Sequence, residues 1–247
     1  LEMLLAECAS AGVQIQNNVH IHDIQTTDDG FLLRSEQQAY LCQSLVIATG
    51  GLSIPTLGST GFGYQVATQF GHQLLPTRAG LVPFTLTDNK LKALCTELSG
   101  NSIKGCTLSC ATASFTDDLL FTHRGLSGPV VLQISSFWSV GQPISIDLLN
   151  EAVPLAWLCE QQSTRSETEL KTLLSERFTR KTAQLLLDFF QISNRPLKQY
   201  TQPELRAIAE QLSNWVITPA GTEGYRTAEV TLGGVCTREI SSKTMES

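Results

Sequence analysis

Residues 45–51 read Leu45-Val46-Ile47-Ala48-Thr49-Gly50-Gly51, four consecutive apolar side chains followed by a hydroxyl residue and two glycines. A continuous apolar run of this length is the pattern of a central strand buried on both faces of a parallel sheet. Glycines at the carboxyl end of such a strand let the chain turn sharply and let a nucleotide approach the backbone without a Cβ in the way. Taken alone, the segment reads equally well as a purely structural turn.

Its surroundings favour the nucleotide reading. Upstream, Leu1, Leu4, Leu5 and Cys8 share one helical stripe that Gly12 stops. VQIQ (13–16), VHIHDIQ (19–25), FLLRSE (31–36) and AYLC (39–42) then read as short alternating strands, with Asp28-Asp29-Gly30 as a hairpin turn. A helix, a β-meander and then a buried strand is the order found in the second half of an FAD-binding, two-dinucleotide-type domain. The expected fold is therefore α/β, with a partial FAD-binding, Rossmann-like domain over residues 1–80. The Gly-x-Gly-x-x-Gly fingerprint that would hold the pyrophosphate is absent from the sequence. With an opening already inside a helix and a close at SSKTMES, the chain reads as an internal piece of a longer protein.

Downstream the periodicity changes twice. GYQVATQFGH (63–72) has the spacing of a short helix, and from Leu81 the runs VPFTL, SIKGCTLSCATASF and PISIDLL are β-branched and strand-like. GPVVLQISSFW (128–138) interrupts them as either a strand or a helix entered through Pro129, the helix being favoured because Pro suits a first turn. Residues 152–215 carry helical spacing, and Thr201 followed by Pro203 and Glu204 marks a capped helix start. TEGYRTAEVTLGGV (222–235) returns to strand with a Gly-Gly turn. The expected organisation is a β-rich insert at 81–151, a small helical insert at 152–215 and return strands toward the FAD-binding domain at 216–247.

Composition narrows the function classes. A chain of 247 residues that is 42% hydrophobic can bury a substantial core. With 17 basic against 23 acidic residues the net charge is −6, which argues against nucleic acid or a membrane surface as partner and leaves a small-molecule substrate. No apolar run approaches the roughly 18 residues of a spanning helix. The seven cysteines, odd in number and scattered, read as reduced thiols of a cytoplasmic protein, mostly small core residues. No metal site is expected, because His20 and His22 have no third ligand near them.

Three further clusters could carry chemistry. Gly58-Ser59-Thr60-Gly61-Phe62-Gly63 precedes a helix, where backbone N–H groups can face an anion or a flavin edge. His123-Arg124-Gly125-Leu126-Ser127-Gly128-Pro129 combines an imidazole able to move a proton near neutral pH with a guanidinium able to orient a carbonyl or carboxylate. Its plainer reading is a β-to-α loop whose hydroxyls cap the next helix. Gly224-Tyr225-Arg226-Thr227 and Thr231-Leu232-Gly233-Gly234 form the last cluster, in which Tyr225 and Arg226, beside a strand, are either a substrate-facing pair or a surface ion-pair site.

Three runs in the same order, 45–86, 119–138 and 221–247, closely resemble the bacterial YhiN/BaiN-type NAD(P)/FAD-dependent flavoproteins. The resemblance implies a parent FAD domain interrupted by the two inserts, beginning upstream with a Gly-rich pyrophosphate motif and continuing past Glu246. By position, Thr49, Gly50 and Gly51 would line the adenosine side of FAD, Ile21 would lean on it more weakly, and Gly61 and Gly63 would lie near the cofactor. Related flavoenzymes often have Asp where Phe62 stands. The His123–Pro129 loop would face the flavin cleft. The activity implied is hydride transfer from NAD(P)H through flavin to an unsaturated or carbonyl compound. His123 is the expected proton donor, Arg124 the substrate anchor, and Ser127, Gly128, Tyr225 and Arg226 the substrate contacts. Two alternatives stand beside it: a non-catalytic fragment or binding module that does not retain FAD, and a nicotinamide-only dehydrogenase. The sequence leaves the oligomeric state open.

Overall fold

A computed structural model describes residues 1–247, which fall into two units, Leu1–Thr49 and Gly50–Ser247. In the first, helix α1 (Glu2–Ser10) is followed by an antiparallel meander of β1 (Ile21–Thr27), β2 (Gly30–Ser35) and β3 (Ala39–Cys42). The expected turn is present: Thr27 pairs with Gly30 across Asp28-Asp29. VQIQ, however, forms no strand, and Ile24 is the one core side chain of this unit.

The opening landmark is not a strand either. Residues 45–50 form no ladder, and Val46 is 84% exposed. A strand buried on both faces needs a hydrogen-bonding neighbour on each edge and a layer on each side. No segment of these 247 residues supplies them, and every strand pairing in the structure is antiparallel. At the coarser level the expectation holds, since the chain is a mixed protein of helices and sheets.

The second unit opens with a 3-10 turn at Pro55–Leu57 and helix α2 (Phe62–Gln69), as the spacing predicts. It continues through β4 (Leu74–Gly80), β5 (Phe84–Thr85), α3 (Asn89–Glu97), β6 (Ser102–Ser109), β7 (Ser114–Thr122), β8 (Gly125–Ser127), α4 (Pro129–Ser135) and β9 (Ile144–Asp147). Four helices follow: α5 (Pro154–Thr164), α6 (Leu170–Leu174), α7 (Arg180–Phe189) and α8 (Gln202–Ser213). Strands β10 (Trp215–Ile217), β11 (Gly221–Thr222) and β12 (Val230–Val235) are the last strands, and a 3-10 turn at Thr237–Glu239 follows them.

Seven strands form one antiparallel sheet in the order β10-β9-β6-β7-β8-β5-β11, and β12 pairs with β4. The helices α5–α8 leave the sheet after β9 and return to it at β10, its immediate neighbour, with Trp215 opposite Ile146. Alternation explains β6, where Ile103, Cys106 and Leu108 point inward around a bulge. They join Phe84, Phe121, Leu126, Val130 and Ile134 in the core, and Phe84 meets Trp138 edge to face at 4.9 Å. Phe189, Phe190 and Trp215 stack at 5.1–5.5 Å and tie the helical segment to β10. Helix α8 starts on the expected cap, with Thr201 and Glu204 forming a reciprocal capping box.

Candidate functional site

The loop after Gly50 is held by β12. Thr231 Oγ1 accepts the backbone N–H of Leu52 at 2.9 Å and of Ser53 at 3.1 Å, and lies 3.0 Å from Ser53 Oγ. The two N–H groups occupy both lone pairs of a hydroxyl oxygen, which leaves its proton for Ser53 Oγ. The approach is so close that a Cβ on Gly51 would sit 2.7 Å from Thr231 Oγ1. Glycine at position 51 is thus explained by packing against β12.

The rest of the loop is fastened to the same end of the unit. Ser59 Oγ donates to Ser53 O at 2.7 Å, and Ile54 N–H donates to Tyr225 O at 2.8 Å. Ile54 itself has φ 53°, a left-handed conformation that a β-branched residue adopts only when its neighbours enforce it. Gly61 starts α2 with no side-chain cap, and the Tyr64 ring of that helix packs against Gly234.

The third cluster has a different shape from the one expected. His123 and Arg124 are the two-residue tip of a tight hairpin between β7 and β8, with Thr122 paired to Gly125, and both side chains are exposed. Strand β8 then runs straight into α4 through Pro129. Gly128 has φ 90°, and a Cβ there would lie 2.6 Å from Asp118 O. Its small size therefore serves the packing of β8 on β7. Arg124 faces Glu223 Oε2 at 3.8 Å, with side chains 45% and 11% exposed. Glu223 in turn directly precedes the 3-10 turn Gly224–Arg226.

Three motifs that are distant in sequence therefore meet. Gly51, Gly61 and Gly63 lie on or beside the loop that Thr231 holds; Tyr225 joins it through Ile54, and Arg124 reaches Glu223, two residues before Tyr225. Ser127 pairs with Leu120 within the sheet, and Arg226 is exposed. Ile21 and Thr49 belong to the other unit. Reasoning from sequence missed Glu223 and Tyr64, and it grouped Thr231 with the candidate residues without giving it a role. Thr227, grouped in the same way, has an Oγ1 that is buried without a hydrogen-bond partner. The GYRT and TLGG runs that contain the two threonines were the available signal. The Gly-Gly of the second run is not a turn but a bulge in β12 opposite β4.

All seven cysteines are free, but only Cys95, Cys106 and Cys236 are buried, fewer than expected. Burial pushes Cys95 up to about 12, and burial with Asp147 and Asp118 nearby does the same to Cys106, so neither is a nucleophile at neutral pH.

Residues 78–230 match the family described as HI0933-like protein barrel and H2TH domain. The chain belongs to this family. A ribosomal RNA dihydrouridine synthase of Escherichia coli (strain K12) is 43% identical over 246 residues, and one of Haemophilus influenzae (strain ATCC 51907 / DSM 11121 / KW20 / Rd) is 39% identical over 253. A 3-dehydro-bile acid delta(4,6)-reductase of Clostridium scindens is 24% identical over 258. Each match covers 100% of this chain and 61–63% of the relative, so the chain spans about three-fifths of the length of these proteins.

The relatives are named as enzymes, one of them a reductase, which bears out the general expectation of an enzyme family with an oxidoreductase relationship. They also overturn one expectation. Two of them are named for ribosomal RNA, against the reading that the charge excludes nucleic acid. Net charge averages over the whole surface, whereas phosphate contacts depend on local cations. Here residues 152–215 hold eight of the 17 basic residues but only seven of the 23 acidic ones. No helix is long and apolar enough to cross a membrane.

Proposed function

We propose that this chain is the larger part of a cytoplasmic, flavin-dependent reductase that saturates a carbon–carbon double bond conjugated to a carbonyl, with a uracil base in ribosomal RNA as its substrate. The match of the whole chain to about three-fifths of two ribosomal RNA dihydrouridine synthases carries this reading. The chemistry unites the relatives' names. Dihydrouridine is uridine reduced at C5=C6, which is conjugated to the C4 carbonyl, and a delta(4,6)-reductase acts on double bonds of the same electronic kind.

FAD fits the residues present on one side of a site. At the start of helix α2 Phe62 N–H goes to Thr60 Oγ1 and Tyr64 N–H to Gly61 O, which leaves the Gly63 N–H for an anion, and Thr227 Oγ1 is a buried polar atom in need of a partner. Gly50, Gly51, Gly61 and Gly63 of the second unit would line one side of the cofactor within a Rossmann-like domain to which residues 1–80 and 216–247 contribute, the segments 81–151 and 152–215 being its inserts. When bound, FAD supplies the hydride, drawn from NAD(P)H. The chain's own residues would do the rest. Arg124 would anchor the polarised carbonyl, and His123 would deliver a proton to the carbon next to it. Ser127, Gly128, Tyr225 and Arg226 would border the base. The balance is uridine, NAD(P)H and one proton giving dihydrouridine and NAD(P)+.

Deleting the gene and measuring dihydrouridine in ribosomal RNA by mass spectrometry tests the reading. The two-hydrogen mass increase should vanish from one uridine and return with the full-length protein, which should purify yellow. Unchanged modification in the deleted strain would refute it. A second reading, that this chain by itself retains no flavin, is favoured by the exposure of Val46 in the segment that ought to line the cofactor. An absorbance spectrum of residues 1–247 decides that point.

A further inference from the structure

The helical segment holds a feature that the proposed chemistry does not use. A cavity of about 490 Å³ opens between α6 and the start of α7, lined by Glu169, Lys171, Thr172, Ser175, Glu176 and Arg180. Both carboxylates in it accept hydrogen bonds, but only Glu176 is neutralised by a cation. Glu176 takes a two-pronged pair of hydrogen bonds from Arg165, which holds its carboxyl below the ordinary range, and Glu169 accepts from Asn194 at 2.8 Å. Lys171 and Arg180 have no acidic partner within ion-pair distance. Lys181, next along the chain, is turned away to α3, where it donates to Glu97 O and pairs with the Glu97 carboxylate at 4.0 Å, so the available cations of the opening are Lys171 and Arg180.

We infer that this cavity seats backbone phosphate of the RNA substrate, with Lys171 and Arg180 as its contacts. The inference rests on the RNA reading above and adds where the RNA is gripped. The helix terminus is not the attraction, because Thr179 Oγ1 already takes the Thr182 N–H there. The attraction is two unpaired cations beside the hydroxyl residues Thr172 and Ser175, in a cavity wide enough for a phosphate. It lies in the one segment of the chain where basic residues outnumber acidic ones, eight to seven against nine to 16 elsewhere. Contacts of this kind fix register on the RNA and carry no base identity, which stays with the site around Arg124.

The test is binding of a fluorescein-labelled ribosomal RNA transcript to the full-length flavoprotein across a salt series. The variants are Lys171→Glu, Arg180→Glu and the control Arg206→Glu, which makes the same charge change on the exposed face of α8. The first two together should weaken binding about tenfold at moderate salt and flatten the log–log salt slope by about 0.7 to 0.9 for each phosphate no longer neutralised. Arg206→Glu should leave the slope as it is, and all variants should keep the wild-type unfolding temperature. An unchanged slope in the cavity variants overturns the inference while leaving the RNA reading intact, as does an equal weakening in Arg206→Glu. Loss of binding to polyglutamate with RNA binding unchanged would assign the cavity to an acidic protein instead. Wild-type protein that binds no RNA would overturn both readings together.

Discussion

The hydroxyl of Thr231 and the backbone N–H of Leu52 meet at 2.9 Å across 179 residues of sequence. With the further bond from Ser53 N–H and the contact to Ser53 Oγ, one side chain of β12 fixes the path of the loop that follows Gly50-Gly51. Thr231→Val keeps the shape and removes the acceptor, stranding two half-buried N–H groups. It should cost about 1–3 kcal/mol in denaturant unfolding, and Thr231→Ser should recover most of it. In the full-length protein the same valine should weaken flavin retention on dilution. If Val and Ser behave alike in both measurements, the hydroxyl does not position this loop.

Gly128 and Gly141 separate two reasons for glycine. Both have φ near 90°, but a Cβ on Gly128 meets Asp118 O at 2.6 Å and Leu120 N at 2.7 Å, while nothing lies within 4 Å of one on Gly141. Gly141→Ala should cost about 1 kcal/mol, the conformational penalty alone. Gly128→Ala should cost clearly more, because β8 must move off β7. Equal melting temperatures for the two variants would mean that the β8–α4 junction yields freely and that Gly128 keeps space for something other than its own backbone neighbours.

Glu204 gives a pH signature. The Thr201 backbone N–H, then Arg195 and the Thr201 hydroxyl, draw its carboxyl down from 4.5 to about 2. A carboxyl whose folded pKa is depressed contributes stability that is complete above its unfolded value and is lost as the pH falls through the folded one. The window here runs from about 4.5 down to about 2. Glu204→Gln should therefore lower the melting temperature at pH 7 and converge on wild type as the pH drops through that window. A gap of constant size across the window would show that the carboxylate charge is not what caps α8.

The distribution of what was legible follows from the range of the forces involved. Pro129 at the start of α4, the Thr201–Glu204 box of α8 and the Asp28-Asp29-Gly30 turn are set within a few residues, and the sequence alone places each of them. Helix α3 had a local signal that was passed over. Asp88 caps it by accepting Leu91 N–H, and Leu94, Cys95 and Leu98 are buried, but strand-like runs flank it on both sides. The bulge at Gly233-Gly234 and the grip of Thr231 depend on β4 and on the loop after Gly51, neither near in sequence. LVIATGG shows the opposite failure: a pattern that specifies two-sided burial cannot supply the neighbouring strands it needs.

Arg124 allows stability and chemistry to be told apart. Its ion pair with Glu223 is 3.8 Å long and half-exposed on the arginine side, so solvent screens it and its loss should cost less than about 1 kcal/mol. If Arg124 also anchors the polarised carbonyl of a base, Arg124→Ala in the full-length enzyme should lower kcat/KM for RNA far more than it lowers stability, about 100-fold against a change of a degree or two in Tm. Arg124→Lys keeps the charge but not the planar fork, and should recover only part of the activity. Glu223→Gln separates the pair itself: it should leave most of the activity, since the guanidinium remains in place on its hairpin tip. His123→Ala, one residue away, should slow RNA reduction while leaving flavin reduction by NAD(P)H at its wild-type rate, because only the second half of the reaction needs the proton. Should Arg124→Ala and His123→Ala both turn over RNA normally, the β7–β8 hairpin is a structural tip, and the reacting base is held elsewhere.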